Sequence, residues 1–266
     1  MKTKIAAIQL PTLPMSEAKL DYYTNVCKKN GVSLITLGEY VLNSFFKELE
    51  KMPPSLIKEQ SDNKLNILKA LSKKYEIVFV APIIISKKDG FLKVIAKVTP
   101  NSTHFYEQNF LISYKHWNEE KFFLNHFEKV NIPIFMHEDI RFTVICGFDI
   151  HFDAIWQEVQ RKKIDVVLLP CANTFDSKQR WQEIIKTRAF LNNVYILRTN
   201  RIGSYKDKLN SWYFYGHSML CSPNGSIEES LGDKEEMLIC DIDLDEVNNA
   251  RKMWGFRAKF QKKNCL

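Results

Sequence analysis

Three stretches of this chain place reactive side chains where strands end. Residues 140–152, Ile-Arg-Phe-Thr-Val-Ile-Cys-Gly-Phe-Asp-Ile-His-Phe, open as a β-branched and aromatic strand and stop at Cys146-Gly147. An amphipathic segment from about Asp153 reads as the helix that follows. A thiol at such a junction lies beside the backbone N–H groups that begin a helix. Those donors lower a thiol pKa and can also hold an oxyanion. Glu39 closes the apolar run Val32–Leu37, at the carboxyl end of a strand, where α/β proteins place chemistry. Lys115 ends another strand and is followed by Glu119, Glu120 and an aromatic cluster, as in a pocket wall or an interface. Taken one at a time, each has a plain alternative: a buried structural cysteine, a solvated loop carboxylate, a lysine snorkelling from an edge strand.

The elements that must position these residues follow from apolar periodicity. Ile5–Leu10 reads as a strand, then a helix capped near Ser16 runs to about Lys29 and stops at Asn30-Gly31. Val32–Leu37 is apolar almost throughout, as suits a strand covered on both faces. Phe45–Glu50 and Asn63–Tyr75 are helical, on either side of Pro53-Pro54. Strands are expected at Glu76–Ile85, Phe91–Thr99 and Phe105–Tyr114, turned at Asp89-Gly90 and Pro100-Asn101. Asp165–Leu169 and Val194–Arg198 are strands around a helix from Gln179 to Asn192. Tyr213–Cys221 is a further strand, Pro223-Asn224-Gly225 signals a hairpin, and Met237–Asp243 returns antiparallel. A short helix, Asp245–Lys252, precedes a basic, aromatic tail. The alternation makes a mixed-sheet α/β chain without repeat or linker, hence one domain over 1–266.

Charge and cysteines bound the function. The net charge of +7 is spread over short basic pairs, with no dense Lys/Arg arm, which argues against nucleic acid as partner. Apolar runs such as Ile77–Ile85 are too short to span a bilayer, and the basic start leads into four apolar residues, a strand rather than a signal peptide. Six cysteines without CxxC spacing are expected to be free thiols of a cytoplasmic protein. The six histidines form no HxH or HExxH pair, so neither a metal nor another cofactor is expected.

Glu39, Lys115 and Cys146, in that order along an α/β chain, resemble the nitrilase or carbon–nitrogen hydrolase superfamily. The likeness covers nearly the whole chain. It is firmest in Trp181–Arg201, in Phe214-Tyr-Gly216-His-Ser218-Met-Leu with Pro223-Asn-Gly225, in Met237–Val247, and in the opening Lys4-Ile-Ala-Ala-Ile-Gln9. The resemblance implies a four-layer α-β-β-α sandwich and a Glu-Lys-Cys triad with a second glutamate. It puts Glu39 at the base, Lys115 at the lysine, Glu120 at the second glutamate and Cys146 at the nucleophile. Three positions depart from the family pattern: Gly38 stands where Pro is usual, Lys115-His116-Trp117 replaces Lys-x-His, and Gly147 intrudes between Cys146 and Phe148-Asp149. A homodimer or larger homo-oligomer is also implied, with the tail from about 252 to 266 (Trp254, Phe256, Phe260) at the interface.

Such a set cleaves small non-peptide C–N bonds, in a carboxamide or an N-carbamoyl amine. Glu39 takes the thiol proton, Lys115 compensates the developing oxyanion, Glu120 orients it, and a thioester forms and is hydrolysed. The rival reading is a silent scaffold of the same fold. A papain-like pair of Cys146 and His151 has no support in the strand order. The register of the central strand decides. Strict alternation from Phe142 puts Val144 and Cys146 on its face and gives Gly147 the nucleophile's place. Counting by chemistry makes Cys146 the nucleophile and Gly147 an insertion, and this is the expectation adopted.

Overall fold

The computed structural model describes residues 2–126, 128–207 and 210–263. From the N-terminus come β1 (Lys2–Gln9), α1 (Ala18–Lys29), β2 (Leu34–Leu37), α2 (Phe46–Leu49) and α3 (Pro54–Tyr75). Next are β3 (Val78–Lys87), β4 (Gly90–Val98), β5 (Thr103–Glu107), β6 (Ser113–Tyr114) and β7 (Trp117–Asn118). The middle of the chain holds β8 (Phe135–His137), β9 (Ile140–Val144), a 3-10 helix (Gly147–His151), α4 (Asp153–Arg161), β10 (Val166–Cys171) and α5 (Lys178–Asn192). The rest comprises β11 (Tyr195–Asn200), β12 (Ile202–Lys206), β13 (Ser211–Tyr215), β14 (Met219–Cys221), β15 (Ile227–Ser230), β16 (Glu236–Asp243), α6 (Leu244–Trp254) and α7 (Phe256–Lys262).

The strands form two six-stranded sheets, ordered β16-β1-β2-β3-β4-β5 and β15-β14-β11-β10-β9-β8. Within each sheet three neighbouring strands run parallel, β1-β2-β3 in the first and β9-β10-β11 in the second. Alternation then sorts the apolar residues into layers. Ala6, Ile8, Ile35 and Leu37 pack outward against Leu20, Leu68 and Leu71 of α1 and α3. Ile5, Ala7 and Leu34 of the first sheet meet Phe142, Val144, Val166, Leu168 and Leu197 of the second. Ile145, Val167, Leu169 and Ile196 pack outward against Ile155, Val159 and Ile185 of α4 and α5. The result is a four-layer α-β-β-α sandwich. The carboxyl ends of β2, β9 and β10 are the parallel-strand ends at which α/β sheets take ligands.

Several expected elements differ. The helix expected from Asn63 begins at Pro54, because a proline is tolerated in the first turn, where its missing N–H costs nothing. The strand expected over Phe105–Tyr114 ends at Glu107. Tyr213–Cys221 is two strands rather than one: Gly216 and His217 both take positive φ, which breaks the extended run. Gln9 leaves no room for a side chain at Gly216, since a Cβ there would lie 2.5 Å from its Nε2. The hairpin turn at 223–225 joins β14 to β15, a strand missed in the sequence, while β16 pairs with β1 in the other sheet.

The basic, aromatic tail folds back on its own chain. Trp254 and Phe256 each meet Phe190 of α5 edge-on, with ring centroids 5.0 and 5.4 Å away. Arg257 is buried and donates to Gln160 Oε1 and the Ile164 carbonyl. Residues 264–266, including Cys265, lie outside the described part.

Candidate active site

The turn after β2 positions Glu39. Gly38 packs so tightly on the second sheet that a Cβ would lie 3.0 Å from Arg201 N and 3.1 Å from the Cys171 carbonyl oxygen. Any side chain there would press on backbone that has little room to give, so glycine suits the approach where the resemblance implies proline. Glu39 N donates to the same Cys171 carbonyl at 3.1 Å. Tyr40 then takes φ 57°, uncommon for a side-chain-bearing residue, and Arg201 Nη1 holds its carbonyl at 3.0 Å. The loop thus turns Glu39 inward, 6 % exposed, onto the gap between the sheet ends.

There Glu39 meets an ammonium, but not that of Lys115. Lys93 from β4 is 3 % exposed and places Nζ 2.6 Å from Glu39 Oε2 and 2.8 Å from Glu119 Oε1. Its charge also lies over the Tyr40 ring, 4.8 Å from the centroid. Glu119 is fully buried and accepts further bonds from the Tyr40 hydroxyl, from Trp117 Nε1 at 3.0 Å and from Ile112 N at 3.3 Å. One ammonium shared by two carboxylates leaves a net negative charge in a dry place. That arrangement is costly unless hydrogen bonds satisfy it, as they do here.

The protonation tendencies follow. Burial raises the Glu39 carboxyl, opposed by Lys93 and helped by Glu119, and the net shift is upward. Burial opposes the charge on Lys93, but Glu119 and Glu39 outweigh it and hold the ammonium well above the ordinary lysine value. Glu39 is therefore a carboxylate of raised basicity next to a fixed cation.

Three of the four side chains singled out in the sequence do not face Glu39. Lys115 is exposed on the turn between β6 and β7, and Glu120 is exposed just beyond β7. The physical reason is the period of two: Trp117 and Glu119 point in, Asn118 and Glu120 point away. Cys146 is buried with Phe142 and Val144 in the layer between the sheets. Its backbone N–H is held by Asp149 Oδ2 at 3.2 Å, which fixes the turn. The residue that faces Glu39 is Gly147, whose N–H donates to Glu39 Oε1 at 3.2 Å. A Cβ on Gly147 would stand 3.2 Å from that oxygen and 3.1 Å from the Cys171 sulfur. Strict alternation from Phe142 is what the strand obeys.

Lys93, Tyr40 and Cys171 were not singled out in the sequence, and Glu119 was named only beside Glu120, the carboxylate given the role. Two carried a signal: Lys93 is one of two lysines in the otherwise apolar run Phe91–Val98, and Cys171 is the last residue of β10, much as Cys146 lies just beyond β9. Above the cluster opens a pocket of about 520 Å³, lined by Glu39, Trp117, Phe148, Ala172, Arg180 and Trp181 among others. It is mainly apolar, with a carboxylate at its floor, a form suited to a small organic molecule. Among the described residues no group of His, Cys, Asp and Glu is arranged to hold a metal, and no helix is long and apolar enough to cross a membrane.

Comparison with known proteins identifies the family. The carbon–nitrogen hydrolase pattern matches residues 4–252. A hydrolase in the agr operon of Staphylococcus aureus is 23% identical over 257 residues, covering 94% of both chains. The N-carbamoylputrescine amidase of Solanum tuberosum is 26% identical over 151 residues, 52% of this chain and 49% of that one. A cysteine-to-alanine mutant of the amidase from Nesterenkonia sp. AN1, solved in complex with butyramide, superposes with a TM-score of 0.74 at 18% identity, over 94% of this chain and 95% of its own. The chain belongs to the carbon–nitrogen hydrolase family of enzymes.

Proposed function

We propose that the protein hydrolyses a small carboxamide or N-carbamoyl amine in the pocket above Glu39, through a thioester on a cysteine. The observation that carries this reading is the buried Glu39–Lys93–Glu119 cluster opening onto that pocket. Glu39 is the general base, which takes the thiol proton, passes it to the departing amine, and then activates water. Lys93 keeps Glu39 oriented and offsets negative charge that develops on the carbonyl oxygen. Glu119 holds Lys93 in place. The butyramide held by the Nesterenkonia amidase and the substrate named for the Solanum enzyme support the two substrate classes. The deciding measurement is ammonia release across a panel of small amides, carbamoyl amines and nitriles. No release from any of them, with a folded protein, refutes the reading and leaves the silent scaffold, which Gly147 opposite Glu39 favours. A homo-oligomer in the cytoplasm completes the proposal, and light scattering on the assayed sample reads its mass.

The pH dependence has a definite sign. Glu39 must be ionised to act, and its pKa is raised by burial. As pH falls through that raised value the base is protonated and activity is lost. The acid limb of kcat/KM therefore lies above the ordinary glutamate value of about 4.3. An acid limb at or below that value excludes Glu39 as the base.

A further inference from the structure

We propose that the reacting sulfur is that of Cys171, delivered from the end of β10 to the place that Gly147 leaves open. This rests on the hydrolase reading above and names its nucleophile. The geometry is an exchange of volume between two neighbouring strand ends. A Cβ at Gly147 would lie 3.1 Å from the Cys171 sulfur, tighter than most real contacts, and 3.2 Å from Glu39 Oε1. A side chain at residue 147 would press on the sulfur of residue 171, which lies next to that space and beside the same carboxylate.

Its polar neighbours, not its layer, separate Cys171 from the other thiols. Cys27 lies in the layer under α1 and α3, Cys171 and Cys221 in the layer under α4 and α5, and Cys146 and Cys240 between the sheets. Glu39 and Lys93 act on both Cys146 and Cys171, so those charges do not distinguish them. Arg198 does. Its buried guanidinium lies against Cys171 and favours the thiolate, whereas Cys146 has the Asp149 carboxylate instead. Arg198 is fixed by the His217 carbonyl at 2.9 Å, Asn173 Oδ1 at 2.8 Å and the Tyr215 hydroxyl at 3.2 Å. Its Nε is buried without a partner. A fixed guanidinium with an unused donor beside a thiol is a ready counter-charge for a thiolate.

The sulfur is fully buried, and the pocket reaches its neighbours Ala172 and Asn173 as well as Glu39. At rest burial pushes the Cys171 thiol up to about 12, so it carries its proton and Glu39 must remove it. The step balances on this chain's groups. Glu39 accepts the thiol proton as the S–C bond forms to the carbonyl carbon. It returns that proton to the amine nitrogen as the C–N bond breaks. Water then attacks the thioester, giving one proton to Glu39, and the C–S bond breaks to free the acid. Glu39 finally reprotonates the sulfur.

The test treats the intact protein with acrylamide, which adds to a thiolate without a leaving group, and maps the adducts against a denatured control. Cys171 is expected to react at least about tenfold faster than Cys146, and to slow by at least about tenfold in Glu39→Gln. Adducts forming first at Cys146, no adduct at Cys171, or a Cys171 rate indifferent to Glu39→Gln each overturns the proposal. Turnover supplies a second arm: Cys171→Ser, which keeps the volume, and Cys171→Ala lower it roughly 10³-fold or more. If both fold and turn over at the parental rate while Glu39→Gln does not, the hydrolase reading stands and Cys171 is not its nucleophile. If the parent releases no ammonia, that reading fails, and the labelling still decides whether Glu39 activates this sulfur.

Discussion

Replacing Lys93 with methionine abolishes turnover and destabilises the protein by about 3–5 kcal/mol, whereas Lys115→Met does neither. The magnitude is that of a buried ion pair broken by removing one partner. Methionine matches the length of the lysine stem but leaves Glu39 and Glu119 facing each other without a cation, in a place with almost no water. The Glu39 carboxyl, already raised by burial, then loses the cation that opposes that rise. A carboxyl whose pKa is raised in the folded state stabilises the fold below its unfolded value and loses that contribution as pH rises. The deficit of Lys93→Met is therefore smaller at pH 4 than at pH 8, and urea midpoints at the two values measure it. Equal losses at both would show that the cost is packing and not charge. Lys115, exposed on a turn, has no such role to lose.

Glu39→Gln lowers kcat/KM by roughly 10²–10⁴-fold, the usual worth of a positioned general base. The amide preserves shape and can still accept from Gly147 N through its oxygen, which now bonds to that N–H at 3.2 Å. Its NH₂ would then face the Lys93 ammonium, so some local adjustment accompanies the change. Far-UV circular dichroism should remain parental. Hydrolysis at the parental rate would mean that the base lies elsewhere and that the cluster is structural. The two substitutions together separate chemistry from architecture, since Glu39→Gln removes the base and Lys93→Met removes the frame around it.

The layers of the fold were legible because apolar alternation and turn residues are local signals. β1, β2, β9 and the helices α1, α4 and α5 fall close to where periodicity puts them. Glu39 was legible for the same reason, as the carboxylate at the end of a buried strand. Lys93 was not, since a lysine within a strand ordinarily points to solvent, and only the pairing of β4 with β3 and β5 buries it. The choice between Glu119 and Glu120 needed the inward direction of Trp117, which a single stretch does not state. Cys146 shows the reverse error. Its residue type outweighed strict alternation, although alternation fixes which way a strand residue points. The exchange between Gly147 and Cys171 lies across two strands and has no trace in either stretch alone.

Gly38 fixes the turn after β2 directly on the backbone at the ends of β10 and β11, through Cys171 and Arg201. Glu39 and Lys93 come from the first sheet, and Gly147 and Cys171 facing Glu39 come from the second. No partly assembled form in which the sheets have folded but not met can hold the reacting groups together. A chain of this length commonly passes through such intermediates on its way to the native state. In refolding from denaturant, secondary structure should return first, and hydrolysis only when the two sheets dock. The return of activity is thus a clock for the last long-range step of assembly.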